Sequence, residues 1–199
     1  MGGKMEVPVI IAMKGHPGTG KSTLAHSIAS TLKIPLLDKD DIKDAVVSLQ
    51  NATTSQSQPH PLPPSLLNDV SYDALWHLAA TQLRLRLSVV IDSPLSRSHH
   101  LDRLLRIAAD AAAKVVVVEC RPSSEAEWRR RLERRGGEGH KPATWREIEK
   151  LLEGYGGCTE YDVGDVPKMV VDTTANVAVE EMCSAVVEFV LSHARVHSL

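Results

Sequence analysis

The sequence predicts an α/β domain built on a doubly wound, five-stranded parallel sheet. Three observations carry this reading. Short apolar runs rich in β-branched residues recur along the 199 residues. Helical patterns separate them, and a glycine-rich turn joins the first run to the first helix. Near-continuous apolar runs suit strands buried on both faces of a parallel sheet, because helices cover each side.

The elements follow in order. Val7–Met13 is the first strand, and 22–32 the first helix, where Leu24, Ile28 and Leu32 share one face. Ile34–Leu37 is a short second strand ending at Asp38, and a helix over Ile42–Leu49 follows with Asp41 as its expected cap. Asn51–Pro64 is polar and proline-rich, which argues against a helix and for a mobile loop. Ser65–Arg86 is helical, with Leu75, Leu78, Ala79 and Leu83 on its apolar side. Leu87–Ile91 is the third strand, ending at Asp92. Leu101, Leu104, Leu105, Ala108 and Ala112 mark the next helix, and Lys114–Cys120 the fourth strand. Ser124 with Glu127, and Thr144 with Glu147, have capping-box spacing at two helix starts. Residues 136–142 (GGEGHKP) join those helices and read as a flexible lid. Lys168–Asp172 is the fifth strand, and 177–192 the closing helix with Asn176 as its cap. No internal repeat or linker interrupts the series, so one domain is expected over 1–199, with its core at about 7–190.

Composition excludes several classes. The net charge of −2 gives no global attraction for nucleic acid. Cys120, Cys158 and Cys183 are unpaired by count and lack metal-ligand spacing, which suits a reducing compartment. No run of ~18 apolar residues predicts a membrane span. The N-terminus MGGKME is not a signal peptide, and Glu6 stands where a myristoylation signal wants Ser or Thr. A cytoplasmic protein is expected.

The turn after the first strand is Gly15-His16-Pro17-Gly18-Thr19-Gly20-Lys21-Ser22. It has the G-x-x-x-x-G-K-S spacing of a phosphate-binding P-loop in the strand–loop–helix context that the motif requires. Its glycines let backbone N–H groups turn toward phosphate oxygens, and the following helix adds its positive end. Nucleotide contacts are therefore expected from Gly15 through Thr23, with Lys21 on the β- and γ-phosphates and Ser22 on Mg²⁺. The side chain of His16 occupies a variable slot and reads as an exposed loop residue.

Ligands of open α/β sheets bind beyond the carboxyl ends of the strands. The second strand ends in Asp38-Lys39-Asp40-Asp41, which offers a carboxylate to an acceptor hydroxyl. Asp40 is the favoured general base, with Asp38 second. The third strand ends in Asp92, the Walker-B form of a Mg²⁺-supporting carboxylate. Arg97, a few residues on, is a candidate to hold an anionic or hydroxylated acceptor, with a plain surface arginine as the alternative. Arg131 and Arg135 lie i, i+4 on one helix, where cations could face a transferring phosphoryl group. Arg134 is an alternative, and so is a solvated helix face in which these arginines, with Arg129 and Arg130 beside them, pair with Glu127 and Glu133. Contact of this basic cluster with nucleic acid is another reading. Trp128 and Trp145 are expected in the core rather than as base-stacking platforms. Thr173 follows the fifth strand, where a small polar loop could sit beside the nucleotide base, and no Asn-Lys-x-Asp run selects guanine.

On these residues the chain resembles the small P-loop kinases of the nucleoside-monophosphate-kinase-like group. It is most similar to ATP-dependent small-molecule kinases that carry an AAA-type label. Zeta toxins, chloramphenicol phosphotransferase and the kinase domain of polynucleotide kinase share the layout. The resemblance spans roughly Val7 to Val190 and is strongest at GHPGTGKST (Gly15–Thr23) and LLDKDDIK (Leu36–Lys43). It implies a P-loop NTPase fold, ATP and Mg²⁺, a general base at Asp40 and an arginine-bearing lid at Arg131–Arg135 and Gly136–Gly139. Lys43 stands where polynucleotide kinase has Arg, which weakens the case for a 5′-hydroxyl nucleic-acid acceptor. Ile91-Asp92-Ser93 lacks the Glu of a hexameric motor, and the chain is short for that motor's lid domain. The expected function is transfer of a γ-phosphoryl group from ATP to a hydroxyl of a small molecule. The alternatives are a 5′-hydroxyl polynucleotide kinase and a non-enzymatic ATP-binding switch.

Overall fold

A computed structural model describes residues 5–54, 62–135, 142 and 144–195, with the backbone alone at 53 and 54. In chain order the elements are β1 (Val9–Lys14), α1 (Lys21–Leu32), β2 (Leu36–Asp38), α2 (Lys39–Thr54), α3 (Pro64–Arg84), β3 (Val89–Asp92), α4 (Ser98–Asp110), β4 (Lys114–Cys120), α5 (Glu125–Arg135), α6 (Trp145–Tyr155), β5 (Lys168–Val171) and α7 (Val179–His193). The five strands form one sheet in the order β2-β3-β1-β4-β5, and every pairing is parallel. The register sets Asp38 opposite Asp92 at the carboxyl ends of β2 and β3.

The apolar runs bury both sheet faces by alternation. Ile10, Ala12, Val89, Ile91, Val115 and Val117 pack with Leu75, Leu83 and Leu104 of α3 and α4. The residues between them, Val9, Ile11, Met13, Val90, Val116 and Val118, pack with Leu24 and Ile28 of α1 and Val186 and Val190 of α7. This is the two-sided burial that keeps parallel strands apolar throughout. The edge strand β5 departs from it, with Val170 half exposed.

Three expectations need correction. First, α2 begins at Lys39, so Asp41 lies inside its first turn and does not cap it. Asp38 takes that part, accepting the backbone N–H of Asp40 at 2.8 Å. Second, α2 continues to Thr54, so residues 51–54 are helical rather than loop. The reason is local: Pro59 is the first proline after Asn51, and nothing before it removes a helical N–H. Pro64 then opens α3 at its first position, where a missing N–H costs nothing. The remainder of the expected loop, 55–61, lies outside the described residues. Third, α7 starts after Ala178, without a side-chain cap, and Asn176 lies two residues too early.

The capping pairs hold as read. Glu127 N–H donates to Ser124 Oγ at 3.2 Å, and Thr144 and Glu147 make the reciprocal box. Residues 136–141 of the expected lid lie outside the described residues. Among the described residues no helix is long and apolar enough to cross a membrane.

Candidate active site

Strand β1 delivers the glycine-rich loop to the carboxyl edge of the sheet. The loop's entry is sterically fixed. A Cβ on Gly15, at φ +146, would meet the Cys120 carbonyl oxygen at 2.7 Å. Gly15 N–H donates to Pro94 O at 3.2 Å, which ties the loop to the turn after β3. At the exit, Gly20 takes φ 82 and precedes α1 with no side-chain cap. The first-turn amides of α1 are thus left for a ligand, and the helix end carries partial positive charge. Thr19 is buried and turns its hydroxyl inward to His16 O at 2.8 Å, bracing the loop from within. Thr173 Oγ1 donates to the Thr19 carbonyl and pins the same loop to the end of β5.

Lys21 and Asp92 meet at the centre. Lys21 Nζ donates to Asp92 Oδ1, and Asp92 is 1 % exposed. The second carboxylate oxygen, Oδ2, is buried with no hydrogen-bond partner. An orphaned buried carboxylate oxygen, with the Ser22 hydroxyl in the same cleft, is a hard-oxygen donor set that fits Mg²⁺. Burial, and then the charge of Asp92 across the strand pair, raises Asp38 above the ordinary carboxylate range. Asp38 does not line the cleft, whereas Asp40 does. Lys39 Nζ lies 3.2 Å from Asp40 Oδ1.

These groups open on a cleft of about 1260 Å³. It gathers His16, Pro17, Gly18, Gly20, Lys21, Ser22, Thr23, Asp40, Asp92, Arg97, Arg131, Arg135 and Thr173. Gly15 and Thr19 belong to the loop but do not line the cleft, against the expectation of nucleotide contacts from every loop residue. On α5, Arg131 donates to Glu127 Oε1 at 2.7 Å and to Thr173 O at 2.8 Å, which holds its guanidinium beside Gly20. Arg135 donates to Pro142 O at 2.8 Å, and its Nε is buried without a partner. Arg134 also faces the cleft. Arg129 and Arg130 instead pair with Glu125 and Glu127 as a solvated face.

His16 corrects an expectation. It is half-buried rather than exposed, and stacks on Trp128 and on Tyr155, each with centroids 6.1 Å apart. Burial, then the charge of Lys14, lowers its pKa. Trp128 donates from Nε1 to Pro17 O at 2.9 Å and meets Trp145 edge-on at 5.0 Å. The expected core placement of both tryptophans needs correction: they are half-buried and pack on each other, Trp128 also on the phosphate loop, outside the main core. A Cβ on Gly18 would touch Leu132 at 3.1 Å and Trp128 at 3.2 Å.

The cleft also recruits residues that were not singled out: Lys39, Tyr72, His99, His100 and Tyr155. Only Lys39, inside the Asp-Lys-Asp-Asp run, carried a local signal. The others arrive from α3, α4 and α6, and no spacing in the sequence links them.

A family model described as an AAA domain matches residues 10–156. The chain belongs to this AAA domain family. No curated protein matches it in sequence. Solved structures share its fold. A sugar kinase from a Janibacter species is 17 % identical, with a TM-score of 0.63 over 96 % of this chain and 99 % of the other. A gluconokinase from Sinorhizobium meliloti is 18 % identical, with a TM-score of 0.59 over 96 % and 95 % of the two chains. A shikimate kinase from Aquifex aeolicus is 16 % identical, with a TM-score of 0.58 over 93 % and 98 %. Within the AAA domain family the chain thus has the fold of the small P-loop kinases.

Proposed function

We propose that this AAA-domain chain is an ATP- and Mg²⁺-dependent phosphotransferase that moves the γ-phosphoryl group to a hydroxyl of a small molecule. One observation carries the reading: the phosphate loop, the Lys21–Asp92 pair, Asp40 and the arginines of α5 share a single cleft. The kinase fold of the structural neighbours supports it.

The roles follow from position. The loop amides and Lys21 hold the donor's phosphates, and Lys21 exchanges its bond to Asp92 for phosphate oxygens. Ser22 and Asp92 would hold Mg²⁺, which supplies positive charge against the phosphates when bound. Asp40 takes the proton of the acceptor hydroxyl. That oxygen forms the new bond to the γ-phosphorus, the bridging P–O bond breaks, and its electron pair leaves with ADP. Arg131 and Arg135 balance charge on the transferring group, and Thr173 and Arg131 border the donor's base side. Arg97 and Asp38 belong to the acceptor side, Arg97 by contact and Asp38 by fixing the turn that presents Asp40. The reduced cysteines fit a cytosolic setting. A nucleic-acid acceptor is less favoured, because Arg129 and Arg130 are already paired and make no free basic stripe.

The test is transfer of labelled γ-phosphate with Mg²⁺ to sugars, nucleosides and 5′-hydroxyl oligonucleotides. Asp40→Ala is expected to lower transfer by roughly 10²–10⁴-fold while sparing nucleotide binding. Tight ATP binding with no product from the parent chain would favour the switch reading. Product from oligonucleotides alone would favour the polynucleotide reading.

A further inference from the structure

The cleft has an arm beyond Asp40, and its charges are uneven. The start of α2 brings Lys39 and Lys43 to this wall, α3 brings Asn68, and the turn after β3 brings Arg97. Lys39 is 5 % exposed, 3.4 Å from Asn68 Oδ1 and 5.6 Å from the centre of the Tyr72 ring. Its ion pair with Asp40 makes it a positioning residue for that carboxylate. Lys43 and Arg97 make no ion pair among the described residues. Against these three cations the arm holds Asp40 and the exposed Asp69. Asp40 is ion-paired with Lys39, and it and Asp44 act on Lys43 only at longer range, so Lys43 and Arg97 both keep hydrogen-bonding capacity at the cavity wall.

A second observation is independent of charge. His100 is 9 % exposed, stacks on Tyr72 at 4.0 Å and lines the same arm. Its Nδ1 is buried with no hydrogen-bond partner. Buried polar atoms in native folds are nearly always satisfied, so this ring of the cleft wall is one hydrogen bond short. Burial, and then the charges of His99, Arg97 and Lys39, lower the imidazole to about 4. It is therefore neutral near pH 7, and a neutral imidazole nitrogen suits a hydroxyl rather than an anion.

We propose that the acceptor is a hydroxylated anion, a small polyol bearing a carboxylate or phosphate. Lys43 and Arg97 hold its anionic group, the His100 imidazole bonds one hydroxyl, and the reacting hydroxyl meets Asp40. This rests on the phosphotransferase reading above. Lys43 has the charges of Asp40 and Asp44 nearby but no ion pair to either, and an anion completes it and Arg97 with charge-assisted hydrogen bonds that a neutral polyol cannot supply. The cleft has room for it: about 1260 Å³ exceeds the roughly 300–1,000 Å³ of a single small-ligand site.

Two matched triples test this: ribose, ribonate and ribose 5-phosphate; and glycerol, glycerate and glycerol 3-phosphate. Each is titrated calorimetrically against the full chain without nucleotide, then offered as acceptor with Mg-ATP. The anionic members are expected to bind roughly tenfold or more tighter than their neutral parents and to be phosphorylated. Arg97→Gln and Lys43→Gln are each expected to raise the anionic acceptor's KM by roughly tenfold, with the nucleotide KM unchanged. Preference between acid and phosphate ester names the anionic group. Neutral parents that bind and react as well as the anions, in both triples, overturn the anion assignment and leave the phosphotransferase standing. Anions that bind in an Arg97-dependent way yet receive no phosphoryl group uphold the pocket chemistry and refute the phosphotransferase. Absence of any anion binding overturns the inference.

Discussion

His100 shows how a single side chain takes its properties from three elements. Its ring rests on Tyr72 and near Trp76 of α3, beside His99, and faces the charges of Arg97 and Lys39. Burial first, and those cations next, hold it at about 4 against an ordinary 6.5. The unfolded chain takes up this proton below 6.5, while the folded chain refuses it until about 4. Stability is therefore fully present above pH 6.5 and falls as pH drops toward 4, by roughly 3 kcal/mol for this group. Urea midpoints measured across that window should fall in the parent and fall less in His100→Gln. Some slope should remain, because His16 is lowered too. An identical slope in the variant would refute the assignment.

At the scale of elements, the phosphate loop does not stand alone on β1. Helix α5 grips it through Trp128, whose indole N–H bonds Pro17 O at 2.9 Å and whose ring closes over Gly18. His16 extends the contact to Tyr155 of α6. The same helix carries Arg131, Arg134 and Arg135, so loop shape and arginine placement share one support. Trp128→Phe keeps the ring and removes the hydrogen bond. Nucleotide Kd, followed by titration, should weaken roughly threefold to tenfold, with the acceptor KM unaltered. An unchanged Kd would mean that the loop holds its shape without α5.

For the whole molecule, the cleft joins residues from both halves of the sheet: α2 and α3 flank β2 and β3, while α5 and Thr173 follow β4 and β5. A ligand that bridges them should stabilise the entire chain. Mg-ATP at ~100 times its Kd should add about 2.7 kcal/mol, or a rise in Tm of roughly 5–10 °C for a chain of this size. Asp40→Ala should keep that rise, since Asp40 is assigned to the acceptor's proton. No rise in the parent would count against nucleotide binding itself.

The legible part of this protein is its local chemistry. The spacing of Gly15, Gly20, Lys21 and Ser22 specifies the phosphate loop, because a tight turn and a helix start involve neighbours in the chain. Two-sided burial made β1, β3 and β4 readable as unbroken apolar runs, and reciprocal capping made the start of α6 readable from Thr144 and Glu147. Boundaries were less legible. Asp38, Asp40 and Asp41 are equivalent as cap residues in sequence, and only the turn out of β2 chooses Asp38. The Pro-rich composition of 51–64 hid a last helical turn that precedes every proline. Of the acceptor arm only Arg97 was legible, from its place just after β3. Lys43 lies on α2, Tyr72 on α3, and Arg97 and His100 at the start of α4, and their meeting depends on the strand order β2-β3-β1 and the helices packed upon it. Short-range turns and periodicities are written into adjacent residues. Burial, unpaired charge and the lowered His100 arise only when distant segments exclude water together.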